Sequence, residues 1–327
     1  MSVTHVETEG WEALAAERLN RAWLGRLRLR RGQTPLLIDQ EGYPLHFVTE
    51  EADLAPYALL VCESVLARIT QLPHDLYAWR VGQELWLGDD LTLHLPVDAP
   101  WESLLDWRAP NAGEEVEVGR LLALLSDWLM ARTPEGSVSS LMGELLARDE
   151  SAEGPLPDRP DLDRSARLLR WRASRLLTEL MGALAEGRVA EVEGVGAHLA
   201  GLGGTDLPLG DQYVMGLVAG ARLWPRFLLE GSGLHVEPVL QRMVRAMRFR
   251  TTPLSSMLLA TTLEAGRWGW RWHALHAALH RLDGFPDERR DALFGLAGEW
   301  VAARPERASA ALAGFVAPFL WHQRHLV

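Results

Sequence analysis

A glycine-rich loop flanked by two aspartates is the clearest place for chemistry in this sequence. Residues 201–216 read Gly-Leu-Gly-Gly-Thr-Asp-Leu-Pro-Leu-Gly-Asp-Gln-Tyr-Val-Met-Gly and lie between two apolar patterns of helical spacing. The glycines and the proline predict a tight turn, followed by a helix that begins near Asp211. Peptide N–H groups of such a loop, aligned with those of the first helical turn, suit an anion. The alternative is a plain connector in which Pro208 breaks one helix and Asp211 caps the next.

Hydroxyl side chains further along the chain supply a second part of the predicted site. The run Thr-Thr-Pro-Leu-Ser-Ser at 251–256 begins another predicted helix. If the two helix N-termini converge, backbone donors, hydroxyls and a carboxylate would together orient a small anionic ligand. The alternative is two ordinary helix caps, since Thr and Asp are residue types that caps use. Arg222, Arg248 and Arg250 are candidates for clamping a carboxylate or phosphate, or for pairing with a nearby glutamate.

The loop and the hydroxyl run together resemble the AllH-like family, a domain of unknown function linked to oxamate carbamoyltransferase. Family members carry a loop of the form Gly-Leu-Gly-x-Gly-Leu-Thr-Pro-Ser-Gly-Asp-Asp that opens a helix, followed by a Thr-x-x-Ser helix and a later Ala-x-Gly. The matching positions are Gly201, Gly203, Pro208, Gly210, Asp211, Ser255 and Gly266. The departing positions are Thr205, Leu207, Leu209 and Gln212. These departures remove two hydroxyls and one carboxylate from the family pattern.

The resemblance implies a subunit of an oxamate-carbamoyltransferase-like system that binds a small carboxylate or carbamoyl phosphate. Asp211 would be its catalytic carboxylate. The residues implied in substrate binding are Gly201, Gly203, Gly204, Thr205, Gly210, Gln212, Thr251, Thr252, Ser255 and Arg250. No cofactor is implied, and the expected partners are a small anionic substrate and other protein subunits. The alternative hypothesis is a non-catalytic binding or assembly subunit that keeps the family fold with a degenerate site.

Histidine and cysteine usage is interpreted as structural. His273, His276 and His280 share one helical face, a spacing that presents imidazoles to a metal. No carboxylate lies on that face and no His-Glu-x-x-His pattern occurs, so no metal site is predicted, although Asp283, three residues after His280, could join the histidines. Cys62 lies in an apolar stretch and is interpreted as a buried small hydrophobic residue. The sequence has no nucleophile-elbow, dinucleotide-binding or paired Cys-x-x-Cys motif.

Composition restricts the class of protein. Of the 327 residues, 48% are hydrophobic, which indicates a globular chain, and the formal charge of -11 disfavours sequence-independent binding to nucleic acid. No apolar run is long enough to span a membrane and no secretion signal is recognised, so a cytoplasmic protein is expected. All 33 basic residues are arginine. Schiff-base chemistry, a P-loop lysine and a lysine general base are therefore excluded.

Two patterns along the chain predict the elements that position these residues. Trp11–Arg31 has apolar residues at helical spacing and is predicted to be an amphipathic helix. Short apolar runs separated by turn signals from Thr34 to Pro96 predict a small, mostly antiparallel sheet, with hairpin turns after Val81 and at Gly88. Tyr57–Ile69 is compatible with either a strand or a helix.

Patterns of period 3.6 dominate from Glu117 onward. The predicted helices are Glu117–Ala131, Ser137–Arg148, Asp161–Glu186, Val189–Leu199, Asp211–Leu229, Val236–Met247, Leu254–Arg267, Trp270–Leu282, Pro286–Ala303 and Ser309–Trp321. Residues 149–160 are rich in Asp, Glu, Gly and Pro, which predicts a linker. The predicted fold class is α+β, with a small, mostly antiparallel N-terminal sheet followed by a larger, all-helical C-terminal part. The predicted domains are residues 1–112 and 113–327.

Overall fold

A computed structural model of the chain describes residues 4–19, 23–29, 34–96, 100–132, 137–138, 162–225, 235–280 and 286–325. Its contacts divide the chain into two units. The first, called the sheet unit below, contains Met1–Leu105 and Ala265–His273. The second, called the helical unit, contains Asp106–Glu264 and Ala274–Val327. The short segment 265–273 therefore groups with the N-terminal sequence.

One mixed sheet of nine strands runs through the described part of the sheet unit. The strands are β1 Thr4–Glu7, β2 Gly10–Trp11, β3 Leu24–Arg28, β4 Leu36–Asp39, β5 Pro44–Val48, β6 Ala58–Leu60, β7 Leu76–Val81, β8 Glu84–Leu87 and β9 Leu91–His94. Their order is β1-β9-β8-β7-β3-β4-β5-β6-β2, and the sheet forms a half-barrel. The β1–β9 and β5–β6 pairs are parallel and the other neighbouring pairs are antiparallel. Two helices, α1 Ala13–Leu19 and α2 Glu63–Ile69, belong to this unit.

The predicted fold class is wrong, because the sheet is a mixed, nine-stranded half-barrel that begins before the predicted stretch. Strands β1, β2 and β3 all precede Thr34, where the sequence pattern places the first strand. The parallel pairs include Thr4 with Leu91, a pairing between distant parts of the chain that no local pattern reveals. The predicted hairpin turns are present: φ is +62° at Gly82 and +59° at Gly88, values that favour glycine.

The predicted helix Trp11–Arg31 is also wrong, because the chain changes from α1 to β3 within it. In β3, Gly25 and Leu27 are buried while Leu24 and Arg28 are exposed, which is the alternation of a strand. Apolar residues spaced by four fit both a helix and every second strand position, so the pattern was compatible with both. The Tyr57–Ile69 stretch is divided in the same way, between β6 and α2.

Helices make up the described part of the helical unit. They are α3 Glu115–Arg132, α4 Arg164–Ala185, α5 Val189–Leu199, α6 Leu209–Leu223, α7 Val236–Arg248, α8 Pro253–Glu264, α9 Trp270–His280, α10 Pro286–Ala303 and α11 Pro305–His325, with α9 beginning in the sheet unit. The predicted helix 137–148, except Ser137 and Val138, and the predicted linker 149–160 lie outside the described residues. Among the helices of the described ranges, none has both the length and the apolar character needed to cross a membrane.

Helices α6 and α11 approach each other so closely that their backbones touch. A Cβ atom at Gly216 would lie 1.9 Å from the Ala311 carbonyl oxygen, and one at Gly314 would lie 1.9 Å from the Tyr213 carbonyl oxygen. Only glycine fits such contacts. All of α6 except Arg222 is buried. The first turn of α6, which carries Asp211, is therefore held inside the helical unit.

Candidate functional site around Asp211

The glycine-rich loop lies between α5 and α6 and contains several left-handed residues. The angle φ is +74° at Gly201, +94° at Gly203 and +59° at Gly204, values that glycine adopts readily. Pro208 precedes α6, which begins at Leu209, slightly earlier than predicted. Asp211 therefore lies within the first helical turn, and the connector interpretation is wrong in making it the cap.

The carboxylate of Asp211 is fully buried and accepts hydrogen bonds from both predicted segments. Its Oδ2 accepts from the Ser255 hydroxyl at 2.6 Å and from the Thr251 hydroxyl. Its Oδ1 accepts from the backbone N–H of Gly201 at 3.2 Å. The structure thus brings the glycine loop and the hydroxyl run together, as a shared site requires, with Asp211 at their meeting point.

The other hydroxyls of the predicted site are also engaged within the protein. Thr252 Oγ1 donates to the carbonyl of Asp206 at 2.5 Å and accepts from the backbone N–H of Ser255 at 3.2 Å. Thr252 thereby caps α8 and connects it to the loop. Thr205 Oγ1 donates to the carbonyl of Leu207 at 2.8 Å. Helix capping and loop closure therefore occupy these two side chains.

Glycines of the loop face protein atoms at three of the predicted binding positions, Gly201, Gly203 and Gly210. At Gly210, a Cβ atom would lie 2.1 Å from the Leu199 carbonyl oxygen, because the start of α6 touches the end of α5. At Gly203, a Cβ atom would lie 2.8 Å from Cγ of Leu209, a buried residue. At Gly204, nothing lies within 4 Å of a Cβ position. An apolar side chain thus occupies the space beside Gly203.

The arginines proposed as anion clamps differ in their surroundings. Arg222 donates to the Glu237 carboxylate at 2.6 and 3.1 Å. Arg248 pairs with Glu264 at 3.2 Å. Both of these guanidinium groups are thus committed to carboxylates, as the pairing alternative expects. Arg250 is exposed, and its carbonyl oxygen would lie 3.2 Å from a Cβ atom at Gly201.

Burial controls the protonation of Asp211. It raises the pKa of this carboxyl above its ordinary value, while the hydrogen bonds from Ser255, Thr251 and Gly201 act in the opposite direction. A general base must lie within hydrogen-bond reach of the group whose proton it removes, and Asp211 has no exposed surface. Both oxygens of Asp211 already accept hydrogen bonds. The neighbouring Gln212 is buried, with its Nε2 atom 3.8 Å from Sδ of Met215.

The histidine stripe of α9 has two different environments. The Nε2 atom of His273 lies 3.1 Å from the Ser103 carbonyl oxygen, and its ring contacts Trp101. The rings of His276 and His280 lie 4.4 Å apart between centroids. Within the ranges that the structure describes, no group of three or more His, Cys, Asp or Glu side chains is arranged to hold a metal ion.

A second buried carboxylate, Glu12 of the sheet unit, was missed by sequence reasoning. Its Oε2 accepts from the backbone N–H groups of Tyr57 at 2.7 Å, Leu14 at 2.9 Å and Ala15 at 3.3 Å. Its Oε1 accepts from the Ser103 hydroxyl. Glu12 lies at the start of an apolar helical pattern, where an acidic residue often caps the helix. That position was the sequence signal that could have indicated a buried Glu12.

Two other side chains of the sheet unit have environments that the sequence did not reveal. His46 on β5 is 5% exposed, and burial lowers its pKa to about 4 despite the opposing effect of Asp53. Cys62 is only half-buried, with its Sγ atom 3.1 Å from the Ser64 hydroxyl, so the interpretation of Cys62 as a buried residue is wrong. A residue at a strand end has the same apolar neighbours in sequence whether it faces the core or not.

Comparison of this chain with protein-family models, curated proteins and solved structures found no match. The resemblance to the AllH-like family therefore depends on the residues of the loop and the hydroxyl run alone.

Proposed function

We propose that this chain is a non-catalytic binding or assembly subunit, built on an AllH-like helical unit whose glycine-loop site is degenerate. The observation that carries the proposal is that the Asp211 carboxylate is fully buried and accepts hydrogen bonds from Gly201, Thr251 and Ser255 of its own unit. Because Asp211 has no exposed surface, a substrate could reach the carboxylate only if these segments moved apart and broke the hydrogen bonds. Displacement would leave buried polar groups unpaired, at a cost of about 1–3 kcal/mol for each group.

Apolar packing beside the loop supports the same proposal. Leu209 lies against Gly203, where the family pattern has a serine, and Leu207 replaces the threonine. The departure at Leu209 is thus a structural substitution, since its side chain fills space next to the loop. The competing function, an oxamate-carbamoyltransferase-like subunit with Asp211 as the catalytic carboxylate, draws its support from the convergence of the two predicted segments on Asp211.

Exposed apolar side chains on the helical unit support a role in assembly. Phe249 is 93% exposed, directly after α7, and Val116 near the start of α3 is 82% exposed. Leu168 and Trp171 are exposed on successive turns of α4. Large exposed apolar residues are common at protein–protein contacts, and aromatic residues are enriched there. A cytoplasmic location belongs to the same proposal.

Isothermal titration calorimetry separates the two functions. The full chain is titrated with oxamate, oxalurate and carbamoyl phosphate, in parallel with Asp211→Asn, which keeps the side-chain shape. The proposal expects no saturable heat from either protein. Saturable heat with the wild-type chain that Asp211→Asn removes would instead support the carbamoyltransferase-like function.

The assembly role is tested by sedimentation velocity over a range of protein concentrations, alone and with candidate partner subunits. We expect a concentration-dependent or partner-dependent complex that Trp171→Gln or Phe249→Gln weakens. The matched control is Tyr77→Gln, since Tyr77 is also an exposed aromatic residue but lies in the sheet unit. A monomer under all conditions, or equal effects of the three substitutions, would contradict an assembly role for these side chains.

A further inference from the structure

Helix α4 exposes a face on which arginines surround two large apolar side chains. The apolar pair is well exposed, since the exposed fraction is 64% for Leu168 and 55% for Trp171. Arg164 lies one turn before Leu168 and Arg175 one turn after Trp171, so the four side chains follow one line along the helix. Two further arginines flank this line on its two sides. The exposed residues of this surface, called the α4 face below, are Arg164, Arg167, Leu168, Trp171, Arg172 and Arg175.

Within the described ranges, three arginines of the α4 face have no carboxylate beside them. Arg175 is the exception, because its Nε donates to Oε1 of Glu179 at 2.8 Å. For Arg164, Arg167 and Arg172, no ion pair or side-chain hydrogen bond occurs among the residues that the structure describes. Their guanidinium groups are therefore free to meet carboxylates from outside the chain, which arginine binds in a bidentate manner.

The first turn of α4 conflicts with the ordinary charge preference of helices. Arg164 and Arg167 lie in this turn, which has no acidic residue. The N-terminus of a helix carries a partial positive charge, so cations there reduce the stability of the helix. Asp163 precedes the turn and caps it, with its Oδ1 accepting from the backbone N–H of Ala166 at 2.8 Å. Local conflicts of this kind are expected where a surface serves binding, and an anionic partner would offset the positive charge.

The composition and size of the α4 face favour a protein segment over an extended polyanion. Tryptophan and arginine are enriched among the residues that dominate binding energy at protein interfaces, and arginine clusters recognise acidic motifs. The face is short, since residues 164–175 span about 17 Å of helix. Nucleic acid or an anionic membrane would extend beyond it, toward a chain whose formal charge is -11. A short acidic segment avoids that repulsion because it contacts the α4 face alone.

We propose that the α4 face binds an acidic segment of a partner protein. Carboxylates of the segment pair with Arg164, Arg167 and Arg172, and an apolar side chain of the segment covers Leu168 and Trp171. The proposal names the partner class for the assembly role given above and rests on that role. Because the guanidinium groups are exposed to solvent, salt screens their attraction, and the affinity falls as the ionic strength rises.

Fluorescence anisotropy with the full chain tests the partner class. The probe is a short, labelled synthetic peptide in which Asp and Glu residues flank a central Leu-Phe pair. We expect saturable binding that weakens about threefold or more between about 0.05 M and about 0.3 M salt. The control peptide, in which Asn and Gln replace the acids, should not bind. Absence of saturable binding of the acidic peptide, or equal binding of the two peptides, would overturn the proposal.

Competition separates a protein partner from other anions. Phosphatidylserine vesicles and single-stranded DNA are each added to the complex with the acidic peptide, at matched concentrations of negative charge. We expect neither to displace the peptide, because both extend beyond the α4 face. Displacement by the vesicles would identify a membrane surface, and displacement by DNA a nucleic acid, as the preferred partner, and either result would overturn the proposal.

Variants of matched charge locate the binding. Combining Arg164→Gln, Arg167→Gln and Arg172→Gln should lower the affinity for the acidic peptide roughly tenfold. Glutamine keeps the helix propensity of arginine, so α4 should stay folded, which circular dichroism checks. The control makes the same change of net charge at three other exposed arginines, Arg242, Arg245 and Arg250. Equal losses of affinity in the two triple variants would show that overall charge, and not the α4 face, attracts the peptide.

Sedimentation velocity of the α4 triple variant distinguishes this inference from the assembly role itself. Loss of the wild-type complex in this variant, with peptide binding by the wild-type chain, would support both. A complex that persists in the variant would leave the assembly role intact and overturn the α4 face as its site. Absence of both a wild-type complex and peptide binding would contradict the two proposals together.

Discussion

Glu12 of the sheet unit and Asp211 of the helical unit are both fully buried carboxylates that their own unit surrounds with donors. Three backbone N–H groups and one hydroxyl donate to Glu12, whereas one backbone N–H and two hydroxyls donate to Asp211. Burial raises the pKa of both carboxyls. The guanidinium of Arg267 lies 3.9 Å from Glu12, whereas the groups that donate to Asp211 are neutral.

An enclosed carboxylate is therefore not by itself a sign of catalysis in this protein. A glycine-rich motif draws attention to Asp211, yet Glu12 has an equivalent environment without any motif. Each carboxylate joins segments distant in sequence: Glu12 joins α1 to Tyr57 and Ser103, and Asp211 joins α6 to Thr251. The shared role is structural, which supports the non-catalytic function proposed for the helical unit.

The largest expected effect is at Glu12. Replacing it by Ala leaves three backbone donors and a hydroxyl without their acceptor, so we expect Glu12→Ala to lower the free energy of unfolding by about 4 kcal/mol. Glu12→Gln keeps an acceptor oxygen and should lower it by about 1 kcal/mol. Urea unfolding followed by circular dichroism measures both. Equal losses in the two variants would show that charge, and not the acceptor oxygen, matters at this position.

Asp211 is expected to contribute somewhat less than Glu12 to the free energy of unfolding. One backbone N–H donates to Asp211, whereas three donate to Glu12. Asp211→Ala should lower the free energy of unfolding by about 3 kcal/mol, and Asp211→Asn by less than half as much. The same unfolding measurement applies. A gain in stability on Asp211→Ala would break the comparison, since residues retained for activity often reduce stability. That outcome would support the carbamoyltransferase-like function instead.

Acid should weaken the sheet unit through His46. Its pKa is about 4 in the folded state and 6.5 in the unfolded state, so the unfolded protein takes up a proton first as the pH falls. The contribution of His46 to the free energy of unfolding is therefore complete above pH 6.5 and is lost as the pH falls toward 4. We expect a loss of about 2 kcal/mol between pH 7 and pH 5 that His46→Leu does not show. The two carboxylates act in the opposite sense, because raised folded pKa values give stability that is complete at low pH and lost as the pH rises. A wild-type protein and His46→Leu with the same pH profile would contradict this assignment.

The smallest effects are expected at the hydroxyls that donate to Asp211. Thr251→Val and Ser255→Ala should each lower the free energy of unfolding by about 1 kcal/mol. Because both donate to Oδ2, the double variant should deviate from additivity. Differential scanning calorimetry of the single and double variants measures this coupling. Strict additivity would indicate that the two hydroxyls stabilise the protein independently of the carboxylate.

Local patterns in the sequence predicted local structure well. The hairpin turns at Gly82 and Gly88 and most helices of the described part beyond residue 115 follow from turn residues and from the 3.6-residue period, since both depend on neighbours within a few positions. The same reasoning identified the loop at 201–210 and the hydroxyls at Thr251 and Ser255 as parts of one possible site, because glycine and hydroxyl residues have recognisable positional preferences.

Tertiary structure alone decided how these parts are used. The nine-stranded sheet depends on pairings such as Thr4 with Leu91, and the burial of Glu12 depends on Ser103, so neither is visible in a window of neighbouring residues. The sequence placed a carboxylate at Asp211. The fold determined that its oxygens accept from the protein's own donors, because only packing in three dimensions decides whether a polar group faces a ligand, solvent or another part of the chain.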